Sequence, residues 1–256
     1  VRSCVGSFVA PSCMLPFQFF SFNGRSACVW LNGEKNAERP IWTKLWNTAV
    51  ERVCTDGAAN LIEERVREGT LKTPTLISGD MDSICANTKA YFASVHCPIV
   101  ETNDQDKTDF TKCLELVSSR RNETMIEGII ALGGLSGRFD HTIATVNTLL
   151  HGNVTMNMQV AAVDGDNLVF VLKEGSHIIS VPRHIIDTSC GFSPFCQQET
   201  TVSTNGFRWN LKNQKMEFGG IVSTSNQVVD SEISINNSAP LLVTFSLSNS
   251  VSHMSV

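Results

Sequence analysis

Between residues 27 and 150, short apolar runs alternate with amphipathic stretches, and this alternation restricts the fold more than any other feature of the 256-residue chain. Ala27 to Leu31, Thr75 to Ser78, Pro98 to Glu101 and Ile126 to Leu132 read as strands. Trp46, Ala49, Val50 and Val53 fall at helical spacing, as do Phe110, Cys113, Leu114 and Val117, and then Ile143, Val146, Leu149 and Leu150. Leu61 to Glu68 continues as helix and stops at Gly69, a residue suited to the left-handed position after a helix end. Strands separated by helices of ~10–15 residues imply right-handed crossovers and a parallel sheet.

After His151-Gly152-Asn153 the helical period is lost. Met158 to Val163 and Asn167 to Leu172 flank Asp164-Gly165-Asp166, a hairpin signal. Ile178 to Val181, Thr200 to Thr204, Phe207 to Leu211, Lys215 to Phe218, Glu232 to Ile235 and Leu241 to Leu247 follow as further strands. The expected fold is therefore α/β plus all-β: a parallel-sheet domain over 27–152, then a β-sandwich over 153–256.

Composition narrows the function classes. A net charge of -5 without Lys/Arg runs argues against phosphate-neutralising nucleic-acid binding. No apolar run reaches the ~18 residues of a membrane span. Nine cysteines without close paired spacing read as reduced thiols of a cytoplasmic protein, and Cys190 and Cys196 lack histidine neighbours for zinc. The Asn-x-Ser/Thr triplets at Asn122, Asn153 and Asn236 are discounted as chance. Residues 1–26 are expected to be a flexible extension, with a cleaved targeting peptide or a docked arm as alternatives. That stretch carries Phe17, Phe19, Phe20 and Phe22 but no charge from Ser3 to Phe22.

The chemistry lies in loops that follow the predicted strands, where open parallel sheets bind ligands. They read Gly79-Asp80-Met81-Asp82-Ser83, Asp104-Gln105-Asp106-Lys107-Thr108-Asp109 and Gly133-Gly134-Leu135-Ser136-Gly137-Arg138-Phe139-Asp140-His141. A fourth, Thr55-Asp56-Gly57-Ala58-Ala59-Asn60, follows a possible short strand at Val53–Thr55. The six aspartates of the first three loops, converging on one sheet edge, repel one another unless a cation sits among them, and hard oxygen donors suit Mg²⁺ with phosphate completing its shell. Lys107 and Arg138 supply positive charge, and the glycines let backbone N–H groups approach phosphate ahead of a helix. In an extended segment the alternation Asp80/Asp82 and Asp104/Asp106 places each pair on one side. Each loop alone also reads as a helix cap with solvated neighbours. No Walker-type phosphate loop occurs. Trp209 is placed in the sandwich core by composition, with ring stacking on a heterocycle as its functional alternative.

These loops, together with Trp209-Asn210-Leu211 and Val222-Ser223-Thr224-Ser225-Asn226, resemble in order those of the thiamine pyrophosphokinase family, animal type, over residues 27–248. The resemblance implies a homodimeric enzyme that moves the diphosphate of ATP onto the hydroxyl of thiamine, giving thiamine diphosphate and AMP. It implies an α/β domain for ATP and Mg²⁺, a β-sandwich for thiamine, and active sites shared between subunits. Asp80, Asp82, Asp106 and Asp109 would hold Mg²⁺ and order the phosphates. Asp56, Asp104, Thr108, Ser136 and Gly137 would lie around the nucleotide, with Arg138 on phosphate. Asp140 would sit near the thiamine end, and Gln105, Trp209, Ser225 and Asn226 would line the thiamine pocket. The proton acceptor is one of Asp106, Asp109 or Asp140. One departure is Ala58, where the family usually has a second glycine after the aspartate. A Mg²⁺-dependent nucleotide phosphohydrolase and a non-enzymatic thiamine or nucleotide sensor are the alternatives.

Overall fold

The computed structural model describes residues 12–13, 16–33, 38–195 and 199–252. In chain order it forms β1 (Ser12–Cys13), β2 (Ser26–Trp30), α1 (Pro40–Thr48), β3 (Glu51–Thr55) and α2 (Asp56–Arg67). Next come β4 (Leu76–Gly79), α3 (Ala86–Ser94), β5 (Ile99–Glu101), α4 (Asp109–Ser119), α5 (Arg121–Thr124), β6 (Gly128–Leu132) and α6 (Phe139–Leu150). The remainder is β7 (Gln159–Asp164), β8 (Asn167–Leu172), β9 (Gly175–Ser180), β10 (Ile186–Pro194), β11 (Thr200–Asn205) and β12 (Gln214–Met216). It closes with β13 (Ser223–Gln227), β14 (Glu232–Asn237), β15 (Leu241–Leu247) and α7 (Asn249–Ser252).

Ten strands form one sheet in the order β13-β10-β15-β8-β7-β6-β2-β3-β4-β5. From β7 to β5 every neighbouring pair is parallel. From β7 outward to β13 every pair is antiparallel. The helical period is lost near residue 152, but parallel order continues through β7 and gives way to antiparallel order at the β7–β8 hairpin within a continuous sheet. The second sheet, β1-β9-β14-β11-β12, packs against the antiparallel end to make the sandwich. Phe170 and Phe245 stack at 5.9 Å in that core, and Phe192 meets Phe207 edge-on at 5.1 Å.

The chain runs outward through β3, β4 and β5, then returns to place β6 on the other side of β2. This reversal opens a crevice between the carboxyl ends of β2 and β6, the position where open α/β sheets bind ligands. Both strands are nearly all buried, which explains why they read as continuous apolar runs with no alternation.

Three sequence expectations are corrected here. The stripe through Trp46, Ala49, Val50 and Val53 is not one helix: α1 ends at Thr48, Ala49 is extended, and Val53 belongs to β3. The core stripe of α1 is Ile41, Trp42, Leu45 and Trp46, and the last of these donates from Nε1 to the carbonyl of Lys72 at 2.8 Å. Phe207–Leu211 forms a turn with a single bridge from Phe207 to Val228, while β10 and β13 arise where no strand was expected. The expected flexible extension is docked over its described residues: Ser12–Cys13 pair with β9, and a 3₁₀ turn over Pro16–Ser21 buries Phe17, Phe19 and Phe20. A Cβ on Gly128 would lie 2.9 Å from the Phe19 ring, so the first residue of β6 has to be glycine for that ring to seat. Residues 1–11 and 14–15 lie outside the described part.

The six described cysteine side chains, Cys28, Cys54, Cys85, Cys97, Cys113 and Cys190, are free thiols, and Cys196 lies outside the described residues. Asn153 is buried, with its amide bonded to Leu149 and Val160, so that triplet is a packing device. Among the described residues no helix is long and apolar enough to cross a membrane.

Candidate active site

Strand β3 delivers Asp56 at the first position of α2, where helix N–H groups favour an anion. Its Oδ1 accepts from the Gly57 N–H at 2.7 Å and its Oδ2 from the Ser83 N–H at 3.3 Å. The carboxylate is buried under the end of β4, and a Cβ on Gly79 would lie 2.6 Å from its Cγ. Glycine at 79 is what admits the acid. The loop then turns sharply, with Met81 at φ 66° and the Asp82 N–H donating to Asp80 Oδ1 at 3.3 Å. The two acids therefore meet through a turn, and the extended geometry expected for them is corrected. Carboxylate oxygens of Asp56, Asp80 and Asp82 all lie within 4.8 Å of one another. Burial, with smaller contributions from Asp109 and Asp80, pushes the Asp56 carboxyl above its ordinary range. The backbone N–H of Asp82 holds Asp80 below its own. Three hard oxygen donors with open space beside them fit Mg²⁺, which keeps several waters and takes phosphate oxygens.

The loop after β5 closes one side of this cluster. Gln105 Nε2 donates to Asp80 Oδ2 at 3.4 Å, and Thr108 caps α4 by accepting from the Thr111 N–H at 3.2 Å. Asp109, on the first turn of α4, pairs with Lys112 Nζ at 3.2 Å. Lys112 is 5% exposed and is anchored by the Thr102 carbonyl at 3.0 Å. A cleft of about 270 Å³ is lined by Asp56, Asp80, Gln105, Thr108, Asp109, Lys112 and His141, among others. Asp106 does not line it: it sits in a neighbouring groove with Thr111, Asn147 and His151. Asp104 is engaged by the Asp106 N–H at 3.0 Å and by Lys107 Nζ at 3.5 Å, facing the Glu115 side of α4. The cluster thus gains Asp56, expected only at its margin, and leaves out both Asp106 and Asp109, the latter lining the cleft in a pair with Lys112.

The glycine-rich loop after β6 holds positive φ at Gly133, Gly134 and Gly137. At Gly134 a Cβ would come within 2.7 Å of Leu31 Cδ1 and 2.8 Å of Thr145 Oγ1, so the loop packs backbone directly on its neighbours. Asp164, buried at the end of β7, pins it by accepting from the Leu135 N–H at 2.6 Å and from Ser136 Oγ at 3.3 Å. The sequence places Asp164 only in a hairpin; its signal is a carboxylate ending the buried apolar run Val160–Val163. Arg138 pairs with Asp140, Nε to Oδ1 at 3.1 Å, and both are exposed. That partner depresses the Asp140 carboxyl. Ala58 is fully buried in the core cluster, so its methyl fills space behind the helix and does not crowd the cleft.

At the other end of the molecule Trp209 is 53% exposed, which overturns its assignment to the sandwich core. Its ring carries the Arg208 guanidinium at 4.8 Å on one face. Asn226 is buried and clamps the Trp209 backbone from both ends of its amide: Oδ1 accepts the Trp209 N–H at 3.3 Å and Nδ2 donates to the Trp209 carbonyl at 2.9 Å. Ser225 beside it holds φ at 61°. None of Trp209, Ser225 and Asn226 lines the acidic cleft of the same chain.

A parallel α/β layer with an acidic, metal-competent cleft at its strand-order reversal, continued into a β-sandwich with an exposed aromatic platform, defines a two-part α/β enzyme. Comparison with known proteins narrows that class. Residues 42–161 match the family model "Thiamin pyrophosphokinase, catalytic domain", and residues 176–242 match "Thiamin pyrophosphokinase, vitamin B1 binding domain". The chain is 35% identical over 236 residues to thiamin pyrophosphokinase 1 of Caenorhabditis elegans, covering 91% of this chain and 94% of that protein. It is 36% identical over 221 residues to thiamine pyrophosphokinase 1 of Oryza sativa subsp. japonica, covering 80% and 82%. Its fold matches the crystal structure of the yeast thiamin pyrophosphokinase with a TM-score of 0.81, at 23% identity over 96% of this chain and 95% of that one. The Candida albicans thiamin pyrophosphokinase structure also matches at 0.81, with 93% of each chain covered. The chain belongs to the thiamin pyrophosphokinase family, enzymes that form thiamine diphosphate from thiamine.

Proposed function

We propose that this chain transfers the diphosphate of ATP to the hydroxyl of thiamine, releasing AMP. The observation that carries the reading is the meeting of Asp56, Asp80 and Asp82 beside a cleft at the strand-order reversal. Those three carboxylates would hold Mg²⁺, which when bound supplies charge neutralisation to the phosphate oxygens. Gln105, tied to Asp80, and Thr108 on the rim orient what enters the cleft. The thiamine hydroxyl attacks the β-phosphorus in line, and the bond to the α-phosphate oxygen breaks as AMP leaves. Of Asp106, Asp109 and Asp140, only Asp109 lines the cleft, so it takes the hydroxyl proton while Lys112 holds its carboxylate in place. With the Gly133 and Leu135 N–H groups donated to Val163 and Asp164, those of Gly134, Ser136 and Gly137 would face the phosphates at the start of α6.

Trp209 stacks on the cationic heterocycle of thiamine, held by Asn226, and reaches the cleft of a second copy of the chain. Its absence from the cleft of its own chain supports a homodimer with shared sites. Phe218, Ile221 and Val222 on the β unit and Phe139 and Ile143 on α6 are exposed apolar side chains available to such a contact. The free thiols fit work in a reducing compartment such as the cytoplasm.

The test is AMP release from ATP and Mg²⁺ with and without thiamine. Thiamine-dependent AMP with thiamine diphosphate as co-product is the expected result. AMP or ADP formed equally without thiamine would replace this reading by a nucleotide phosphohydrolase, and thiamine binding without turnover by a sensor.

A further inference from the structure

Strand β7 runs parallel to β6 with Val163 level with Leu132, so Asp164 ends its strand alongside the start of the glycine-rich loop. The ladder continues one step past β6, where the Gly133 N–H donates to the Val163 carbonyl at 2.8 Å. Gly133 and Gly134 then both take φ 89°, a conformation that ends the ladder. From there the Asp164 side chain takes over as acceptor. Its Oδ2 takes the Leu135 N–H at 2.6 Å and its Oδ1 the Ser136 hydroxyl at 3.3 Å. Hydrogen bonds to a carboxylate belong to the stronger class, and Asp164 is 3% exposed, so both oxygens are engaged inside the protein.

The carboxylate is the fixed member of this contact. Its hairpin is held at points that do not involve the loop. Asn167 Nδ2 donates to the Asp164 carbonyl at 3.2 Å, and Asp166 accepts from Arg39 Nε at 3.0 Å just ahead of α1. The Asp166 carbonyl also takes the Leu247 N–H at 2.7 Å, at the end of β15. The loop, by contrast, is built on positive-φ glycines at 133, 134 and 137 and becomes exposed from Gly137 onward. Glycine loses more conformational freedom on ordering than any other residue, so such a loop takes its shape from the contacts made to it. Asp164 does not line the acidic cleft, so it acts from behind the loop.

We propose that Asp164 is a positioning residue for the phosphate donor: it fixes the angle at which the amides of the glycine-rich loop meet phosphate, and so sets affinity for ATP without touching it. The inference rests on the ATP-dependent reading above. It gives the buried carboxylate a task distinct from that of Asp56, Asp80 and Asp82, which would act on the phosphates through a cation, whereas Asp164 acts through backbone donors.

The test uses the full chain with Asp164→Ala, Asp164→Asn and, as a control in the same hairpin, Asp166→Ala. Asparagine keeps an acceptor for the Leu135 N–H and can donate to the Ser136 hydroxyl, whereas alanine leaves both groups unpaired. Asp164→Ala should raise the KM for ATP about tenfold or more and leave the KM for thiamine within about twofold. Calorimetry with ATP and Mg²⁺ should show the same loss of affinity. Asp164→Asn should return the KM for ATP to within about threefold of wild type, and Asp166→Ala should leave both KM values within about twofold. If circular dichroism shows Asp164→Ala to be unfolded, Asp164→Ser, polar but too short to reach both donors, gives the same reading. A folded variant with unchanged KM for ATP would overturn the proposal. So would a defect shared equally by ATP and thiamine, or one matched by Asp166→Ala, since these mark general loosening of the hairpin. ATP binding is read without turnover. A wild-type chain that binds ATP but releases no thiamine-dependent AMP would refute the diphosphate transfer, while lost binding in Asp164→Ala would still uphold the role of Asp164. A wild-type chain that binds no ATP would overturn both.

Discussion

The acidic cleft and the Trp209 platform hold their key groups by opposite means. In the cleft, Asp56, Asp80 and Asp82 crowd together, and burial raises the Asp56 carboxyl while the Asp82 N–H lowers that of Asp80, so the cost of gathering the acids falls on Asp56. On the platform, Asn226 spends its whole amide on backbone groups of Trp209 and Gln227, and the indole stands exposed with no charge conflict. One region gathers like charges that the proposed metal would neutralise; the other is organised by its own hydrogen bonds. Substitutions in the cleft should therefore damage turnover and spare stability, and substitutions on the platform should do more to substrate affinity.

The largest effect expected is from Asp82→Asn. Steady-state kinetics should show kcat reduced by about 10²–10³-fold, with a melting temperature no lower than that of the wild type. A variant retaining near-normal turnover would remove Asp82 from the metal site and with it the contrast between the regions. Next in size is Trp209→Ala, which should raise the KM for thiamine about tenfold through loss of stacking on a cation, with the KM for ATP unmoved.

Asn226→Ala sharpens the comparison, because Asn226 acts through Trp209. It should raise the KM for thiamine by several-fold and, unlike Trp209→Ala, lower stability by about 1–3 kcal/mol in denaturant unfolding, since buried N–H and C=O groups lose their partners. An Asn226→Ala defect undiminished in the Trp209→Ala background would show instead that the amide touches thiamine itself. The smallest effect concerns Asp56. A carboxyl whose folded pKa is raised favours folding most when protonated, and that contribution is lost as pH rises through the folded value. Asp56→Asn removes this dependence. Measured without metal, its melting temperature relative to wild type should climb by about 2–4 °C between pH ~4 and pH ~8, and a flat difference would show that Asp56 carries no burial penalty.

The two regions also differed in how much the sequence disclosed. Around the cleft, β2, β4 and β6 are apolar runs separated by helices, so these strands and the acidic or glycine-rich loops beside them are legible in the sequence. What pattern reading lacked was direction within a loop. Asp106 follows Asp104 through a turn that aims it into the neighbouring groove, and Asp56 enters the cluster only because Gly79 leaves room for it. Lys112 and Asp164 act through tertiary partners, Asp109 and the Leu135–Ser136 backbone, that lie in other segments. Around the platform, Phe207 to Leu211 has strand composition, but Asn210 Oδ1 captures the Phe207 N–H at 3.1 Å and Asn226 captures Trp209, so side-chain amides replace the ladder. Likewise the aromatic cluster at Phe17–Phe20 carried no period of its own, and its burial depends on a gap at Gly128, far along the chain.

Joining the two regions across a pair of chains is the central claim, and mixing two damaged enzymes tests it most directly. Asp82→Asn and Trp209→Ala chains, dissociated and reassociated in equal amounts, would form hybrids in which one site carries both lesions and the other neither. Assayed at a thiamine concentration where each variant alone is nearly silent, the mixture should recover about one quarter of wild-type activity, as random pairing of a twofold dimer requires. Activity that stayed at the average of the two variants would place cleft and platform in the same chain and contradict the account.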